Sequence, residues 1–416
     1  MHIAMVSAEY PPRWGGMGST VFHLSSHLAD LGHKVSVITR RSRGEPPELE
    51  GVTVIPVPWM PIPMQFTRSF GRNSLRSLEE LHSEDPIDVV HLHCPMISWD
   101  DKQFDRCRSQ VGPVVSSMHG TWLGEKDGLI LAANHGEPAV WANPNDMAIR
   151  YFAGRFSKFE ESAIRKSDIV VPNSFATKKD LEERYSPPEN WDCEVIHWGV
   201  DTRMFTPMHR DSEDEVLRCK QVRSSFGLDM ESTLILAVGR LAARKGHGML
   251  LRSFARKKPQ NCKLLIVGRG NLRSKLIRLS RKLGIDNQVI IEPSLRFEEL
   301  AEIYRFSDLV VYPSYYEGQG LIPLEAMSSG VPVATVDHGP LPEMVDESVG
   351  ILFKMGDIES MSDAILRGTE SIEKMRKKGA EGRKRVLERF TLRSNAESFE
   401  SIYARAKNNP PTKGNS

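Results

Sequence analysis

Residues 234–248 read LILAVGRLAARKGHG. The first five residues are apolar with no polar alternation, the pattern of a short strand buried on both faces. Gly239 ends that run, and Arg240, Arg244 and Lys245 follow before a helical pattern begins. The same punctuation recurs along the chain. KLLIVG (263–268) is followed by Arg269 and Gly270, and DLVVYPS (308–314) by YYEGQGLIPLEA. QVIIE (288–292) and VPVATV (331–336) are further strands. In the first half HIAMVS (2–7), KVSVIT (34–39), VTVIPV (52–57), DVVHLH (88–93), PVVSSM (113–118) and IVVPNS (169–174) read alike. Helical patterns separate them: in STVFHLSSHLADLG (19–32), Val21, Leu24, Ser25, Leu28 and Leu31 share one face. This β-α alternation predicts an α/β chain with doubly wound, mainly parallel sheets.

The strands are too many for one open sheet, and 416 residues favour two domains. The polar, acidic stretch GVDTRMFTPMHRDSEDEVLRCK interrupts the alternation, and LILAVG restarts just after it. The expected division is an N-terminal domain over 1–202 and a C-terminal domain over 203–390. A helix near 391–407 packs back on the first domain, and 408–416 has the composition of a disordered tail. Lysine and arginine number 55 against 54 aspartates and glutamates, a formal charge of +1, so no polyanion or nucleic-acid partner is indicated. Five scattered cysteines form no CxxC pair, which fits a reducing compartment. The N-terminus is too short and too polar for a signal peptide, and no run approaches a membrane span. A cytoplasmic protein is expected.

Ligands of doubly wound sheets sit outside the carboxyl ends of strands, so the loops after strands are where chemistry belongs. After 2–7, Gly15, Gly16 and Gly18 lead into a helix. They read either as a plain turn or as a backbone cradle for phosphate; the dinucleotide fingerprint is incomplete, because Val21 holds its last glycine position. Arg240 and Lys245 suit a diphosphate, one as a fork and one as a point charge, against the alternative of a solvated basic turn. Gly268 and Gly270 read as a turn or as a close approach to base or ribose. His119, at the end of PVVSSM, reads as structural or as a contact to a sugar hydroxyl. His91 and His93 alternate with apolar residues; one packs in the interior and neither is assigned a metal. In YYEGQGLIPLEAMSSG, Glu317 precedes Gly318 and Gly320 while Glu325 falls in the early helix. Helix-dipole complementarity is the bland account of Glu325, but it leaves Glu317 unexplained.

GRLAARKG, VGRGN, SYYEGQGLIPLEAMSSGVPV and HGPLPEMV together resemble the nucleotide-binding half of family 4 glycosyltransferases. GGMGSTVFHLSSHLADLGHKVSVIT, HGTW, VPNS and IHWGVDTRMFTP resemble the other half, in the family order, so the likeness spans residues 1 to about 405. It implies a GT-B architecture, two Rossmann-like domains facing each other. It also implies transfer of a hexose-type sugar, with retention, from a nucleotide diphosphate sugar to an acceptor hydroxyl. By this resemblance Arg240 and Lys245 hold the diphosphate, Glu325 the ribose and Glu317 the donor sugar. Amides around Gly318, Gln319, Gly320 and Leu321 cradle sugar and phosphate. Gly16 approaches the β-phosphate, and His119 contacts the sugar near the reacting centre. No cofactor and no metal are implied, since the two cations neutralise the leaving group. Gln319 and Arg269 depart from the family's frequent Phe and Asp.

The acceptor is left open between a glycan, a lipid-linked molecule and a small molecule. PIPMQFTRSFGRNSLRSL (61–78) places Arg68, Arg72 and Arg76 at spacings of four beside Met64, Phe66 and Phe70. It reads as an ordinary surface helix or as a peripheral contact to an anionic membrane at its inner face. A sugar-nucleotide epimerase of similar shape and a non-catalytic nucleotide-sugar-binding protein are the competing functions.

Overall fold

A computed structural model describes residues 1–12, 15–293 and 295–409. Residues 13–14 of the first glycine loop and 410–416 of the expected tail lie outside the described residues. The chain divides into two compact units, one of 1–126, 147–199 and 392–416, the other of 127–146 and 200–391.

The first unit contains β1 (His2–Ser7), α1 (Gly16–Asp30), β2 (Lys34–Arg40), β3 (Val52–Val57), α2 (Gln65–Glu84), β4 (Val89–Cys94), α3 (Asp101–Gln110) and β5 (Val114–Met118). Helices α4 (Trp122–Asn134) and α5 (Pro144–Lys166) follow, with residues 127–146, most of α4 and the start of α5, assigned to the second unit, then β6 (Ile169–Pro172) and α6 (Phe175–Tyr185). The six strands form one sheet in the order β3-β2-β1-β4-β5-β6, and every pairing is parallel. Strands β1, β4, β5 and β6 are buried throughout. That burial explains their valine and isoleucine content, and it encloses the polar side chains they carry as well, His91, His93, Ser116 and Ser117.

The second unit contains α7 (Glu213–Ser225), β7 (Thr233–Val238), α8 (His247–Lys257), β8 (Cys262–Val267), α9 (Arg273–Lys282), β9 (Val289–Glu292), α10 (Phe297–Arg305) and β10 (Leu309–Tyr312). It continues with α11 (Leu321–Ser328), β11 (Val333–Val336), α12 (Leu341–Met344), β12 (Gly350–Phe353), α13 (Ile358–Glu370) and α14 (Ile372–Arg389). Its sheet, again all parallel, has the order β12-β11-β10-β7-β8-β9. Both orders reverse direction once, between β1 and β4 in one sheet and between β7 and β10 in the other. These are the topological switch points at which doubly wound sheets open a crevice. The last helix, α15 (Leu392–Asn408), belongs to the first unit, where the Tyr403 hydroxyl lies 2.8 Å from Nδ1 of His91.

The amphipathic stretch 61–78 forms the start of α2, and its apolar side faces the protein interior. Met64 and Phe70 are buried, and the Phe66 ring lies under the Arg40 guanidinium at 4.5 Å. Arg68 turns inward as well, donating to the carbonyl of Ser98 and to Gln103 and pairing with Asp100. Only Arg72 and Arg76 of the three arginines are exposed. Ile62, just ahead of the helix, stays exposed at 49%. No described helix is long and apolar enough to cross a membrane.

Candidate functional site

The loops after β7 and β10 flank the switch point of the second sheet. Lys245 ends a single 3-10 turn, Ala243–Lys245, which Gly246 closes at φ +73°. A Cβ on Gly246 would lie 2.1 Å from the carbonyl oxygen of Pro313, so this glycine lets the β7 loop touch the β10 loop. Two further contacts seal the loops: the Tyr315 amide donates to the Arg244 carbonyl at 2.8 Å, and the Ser314 hydroxyl at 3.3 Å. This closure brings Lys245 Nζ onto the Glu317 carboxylate and within 3.1 Å of the Tyr312 hydroxyl. Tyr312 in turn donates to the same Glu317 oxygen at 2.6 Å.

The lysine and the glutamate are nearly enclosed, with side chains 11% and 12% exposed. Burial pulls the Lys245 ammonium down to about 8, against the opposing effect of Glu317. Burial works against ionisation of Glu317 too, but Lys245 and Arg244 outweigh it and hold the carboxyl below its usual range. Both are charged at neutral pH, a desolvated pair retained at the end of two strands. Arg240 lies on the same loop, exposed, and its guanidinium makes no hydrogen bond among the described residues. Its carbonyl, rather than its guanidinium, meets Nε2 of His247 at 3.2 Å.

Glu325 lies in the second turn of α11, past the first turn where the helix dipole acts. Its carboxylate accepts from the Tyr304 hydroxyl at 2.8 Å. Burial raises its pKa to about 7, only partly offset by Tyr304. Gly320 caps α11 at φ +100°, and Gln319 beside it is buried, its amide 3.8 Å from the Met344 sulfur. Leu321, the first helical residue, and Gly318 complete the loop.

In the first unit, Gly16 opens α1 under a cap residue, Gly15, that supplies no side-chain hydrogen bond. Among the described residues, nothing lies within 4 Å of the Cβ position of Gly16, so their packing does not require a glycine there. His119 follows β5; its amide donates to the Cys94 carbonyl at 3.1 Å, and its ring stacks on Trp198 at 5.2 Å and 8°. Burial lowers its pKa to about 3, so it is neutral.

Two family descriptions match the chain, "Glycosyl transferases group 1" over residues 220–385 and "Glycosyltransferase Family 4" over residues 14–204. A D-inositol 3-phosphate glycosyltransferase of Mycolicibacterium smegmatis is 30% identical over 372 residues, covering 84% of this chain and 78% of the relative. The chain belongs to the family 4 glycosyltransferases.

An uncharacterized glycosyltransferase of Methanocaldococcus jannaschii is 29% identical over 354 residues, 84% of each chain. Among solved structures, a sucrose-phosphate synthase from Thermosynechococcus elongatus superposes with TM-score 0.77 at 20% identity over 97% of this chain and 98% of the other. The lipopolysaccharide glycosyltransferase WaaG superposes with TM-score 0.71 at 20% identity over 96% and 99%. At those identities they show the GT-B fold.

The structure gives this glycosyltransferase a closer account of several residues than the sequence does. A Cβ on Gly268 would fall 1.7 Å from the Gly239 carbonyl oxygen, and one on Gly270 would fall 2.3 Å from that of Leu241. The close approach that these glycines permit is to the neighbouring β7 loop. Tyr304, Tyr312 and Glu137 carry no motif and escape sequence reading. Glu137 is fully enclosed and accepts from the amides of Gly248 and Met249 at 2.9 and 2.6 Å. It caps α8 from a segment more than a hundred residues away, and α8 has no side-chain cap of its own. Burial raises its pKa to about 7, opposed by Arg252 and the two amides.

Proposed function

We propose that this glycosyltransferase moves a hexose-type sugar, with retention, from a nucleotide diphosphate sugar to an acceptor hydroxyl, without a divalent metal. The observation that carries the reading is the buried Lys245–Glu317 pair at the carboxyl ends of β7 and β10, with the exposed Arg240 side chain on the same loop. A charged pair withdrawn from water costs stability unless well compensated, and a charged substrate that engages both partners gives a reason to keep it.

In this reading Arg240 and Lys245 bind the diphosphate, Glu317 the donor sugar hydroxyls and Glu325 the ribose. The amides of 318–321 approach the sugar phosphate. Gly16 leaves room for the β-phosphate, and His119 contacts the sugar. The bond between the anomeric carbon and the β-phosphate oxygen breaks, and the electron pair leaves on the phosphate. Arg240 and Lys245 stabilise that growing charge, a contribution larger in the transition state than in the ground state. The acceptor oxygen bonds the anomeric carbon from the same face, and its proton passes to the departing phosphate. No covalent enzyme intermediate is required. A cytoplasmic site of action fits cysteines that are all unpaired.

A thermal-shift panel of UDP-, GDP- and ADP-sugars should pick out one nucleotide by a rise in melting temperature. The selected donor is then incubated with glycan, lipid-linked and cyclitol phosphate acceptors, the last drawn from the name of the inositol 3-phosphate relatives. Proton NMR of the product should show the donor's own anomeric configuration. Arg240→Ala should lose at least about a hundredfold in turnover with an unchanged melting temperature. Near-normal transfer by that variant refutes the assignment, and interconversion of the donor sugar without transfer would identify an epimerase instead.

A further inference from the structure

Three histidines of the first unit lie together at the ends of β4 and β5. His91 and His93 are fully buried. The nitrogens of His91 are both engaged, Nε2 with the Ser117 hydroxyl at 2.7 Å and Nδ1 with the Tyr403 hydroxyl at 2.8 Å. Nδ1 of His93 lies 3.0 Å from Nε2 of His119. The other nitrogen of His93, Nε2, is buried with no hydrogen-bond partner among the described residues. Around it are the His91 ring, with centroids 4.2 Å apart, and the face of Trp198 at 6.1 Å.

Burial keeps His91, His93 and His119 neutral, so each carries one ring proton. In the His93–His119 hydrogen bond one ring must donate and the other accept. If His119 donated through Nε2–H, His93 would have to carry its own proton on the enclosed Nε2, where no acceptor exists. A buried N–H without a partner is much rarer than an under-used lone pair, and it forfeits a hydrogen bond that water would have supplied. The arrangement with a bare Nε2 on His93 avoids this. His93 then donates from Nδ1, and the lone pair of His119 Nε2 accepts.

We propose that His93 is a positioning residue that fixes His119 as the Nδ1–H tautomer, so that His119 meets its ligand as a hydrogen-bond donor. The tautomer of one imidazole nitrogen is set by the bond the other makes, and stacking on Trp198 fixes the ring plane as well. In the proposed function, on which this inference rests for its consequence, His119 donates to an oxygen of the donor sugar. It does not remove a proton from the acceptor.

Long-range proton–nitrogen correlation spectra of protein labelled with nitrogen-15 in histidine read the tautomer directly, in the resting protein and without any substrate. The expected spectrum has His119 protonated at Nδ1 and bare at Nε2, with His93 the same. A proton on His119 Nε2 overturns the proposal whatever reaction the protein performs. Kinetics then test the consequence. His93→Asn places an amide N–H where Nδ1–H was and should keep kcat within about threefold. His93→Leu should lower kcat by about tenfold or more with a small change in donor KM. Equal activity of the Asn and Leu variants, both folded by circular dichroism, also overturns it. Absence of transfer by the unmodified protein would instead count against the proposed function, leaving the tautomer reading to the spectra.

Discussion

Replacing Glu325 by glutamine should stabilise the protein and weaken donor binding in the same molecule. The folded pKa of Glu325 lies near 7, above an unfolded value of 4.5. A carboxyl raised in this way contributes stability that is fully present below the unfolded value and is lost as pH rises through the folded one. The gap between 4.5 and about 7 corresponds to about 3 kcal/mol of cost to the folded state at pH 8. Glutamine removes the charge and can still accept from the Tyr304 hydroxyl, but it brings an amide N–H₂ into the same confined space. About 1–2 kcal/mol of the cost should therefore be recovered, raising the melting temperature at pH 8 by about 2–8 °C. The same change removes a charged acceptor from the ribose contact, worth about 1.5–3 kcal/mol, or roughly ten- to a hundredfold in affinity. Melting curves at pH 6 and pH 8 and donor titration calorimetry at both pH values measure the two effects. At pH 6 the native Glu325 is largely protonated, so both differences between variant and parent should shrink. A variant no more stable than the parent at pH 8, or a stability difference that does not narrow at pH 6, refutes the reasoning about burial. Unchanged donor affinity at pH 8 refutes the ribose role.

Three further substitutions separate packing from ligand contact. Gly16→Ala meets no atom of the described residues within 4 Å and should melt at the parent temperature or slightly above, yet weaken donor binding by about tenfold; unaltered binding in calorimetry removes Gly16 from the site. Gly268→Ala drives a methyl into the Gly239 carbonyl and should cost about 2–4 kcal/mol in urea unfolding. A neutral result there would mean that the two loops are looser than described. Glu137→Ala leaves two helix-start amides without their acceptor and should cost about 2–4 kcal/mol in urea unfolding, with Glu137→Gln restoring only part of it, because the two amides bond different carboxylate oxygens and glutamine has one.

The strands were legible because a parallel sheet covered on both faces writes itself as runs rich in apolar residues. HIAMVS coincides with β1 residue for residue and is buried throughout; VTVIPV coincides with β3, an edge strand buried only at Val57. The motif loops were legible because doubly wound sheets place ligands at strand ends, and Arg240, Lys245, Glu317 and Glu325 all follow strands. The reading of Gly268 and Gly270 as ligand approaches did not anticipate that the neighbouring loop fills the space. A glycine records only that something comes close, and the sequence does not say what. The three arginines of 61–78 share a period, but Arg68 is drawn inward by Asp100 and Gln103, partners on a separate helix and its cap.

By itself the sequence determined the two doubly wound sheets, the positions of the helices between their strands, and the glycine-rich and basic loops that mark the family. These follow from periodicity and turn chemistry, which act over a few residues. The tertiary structure alone decided who partners whom: Lys245 with Glu317 across 72 positions, Tyr304 with Glu325 across 21, His93 with His119 across 26 and Glu137 with the start of α8 across 111. Such pairs set protonation state and charge, and they depend on burial and on distances that exist only once the strands are in register.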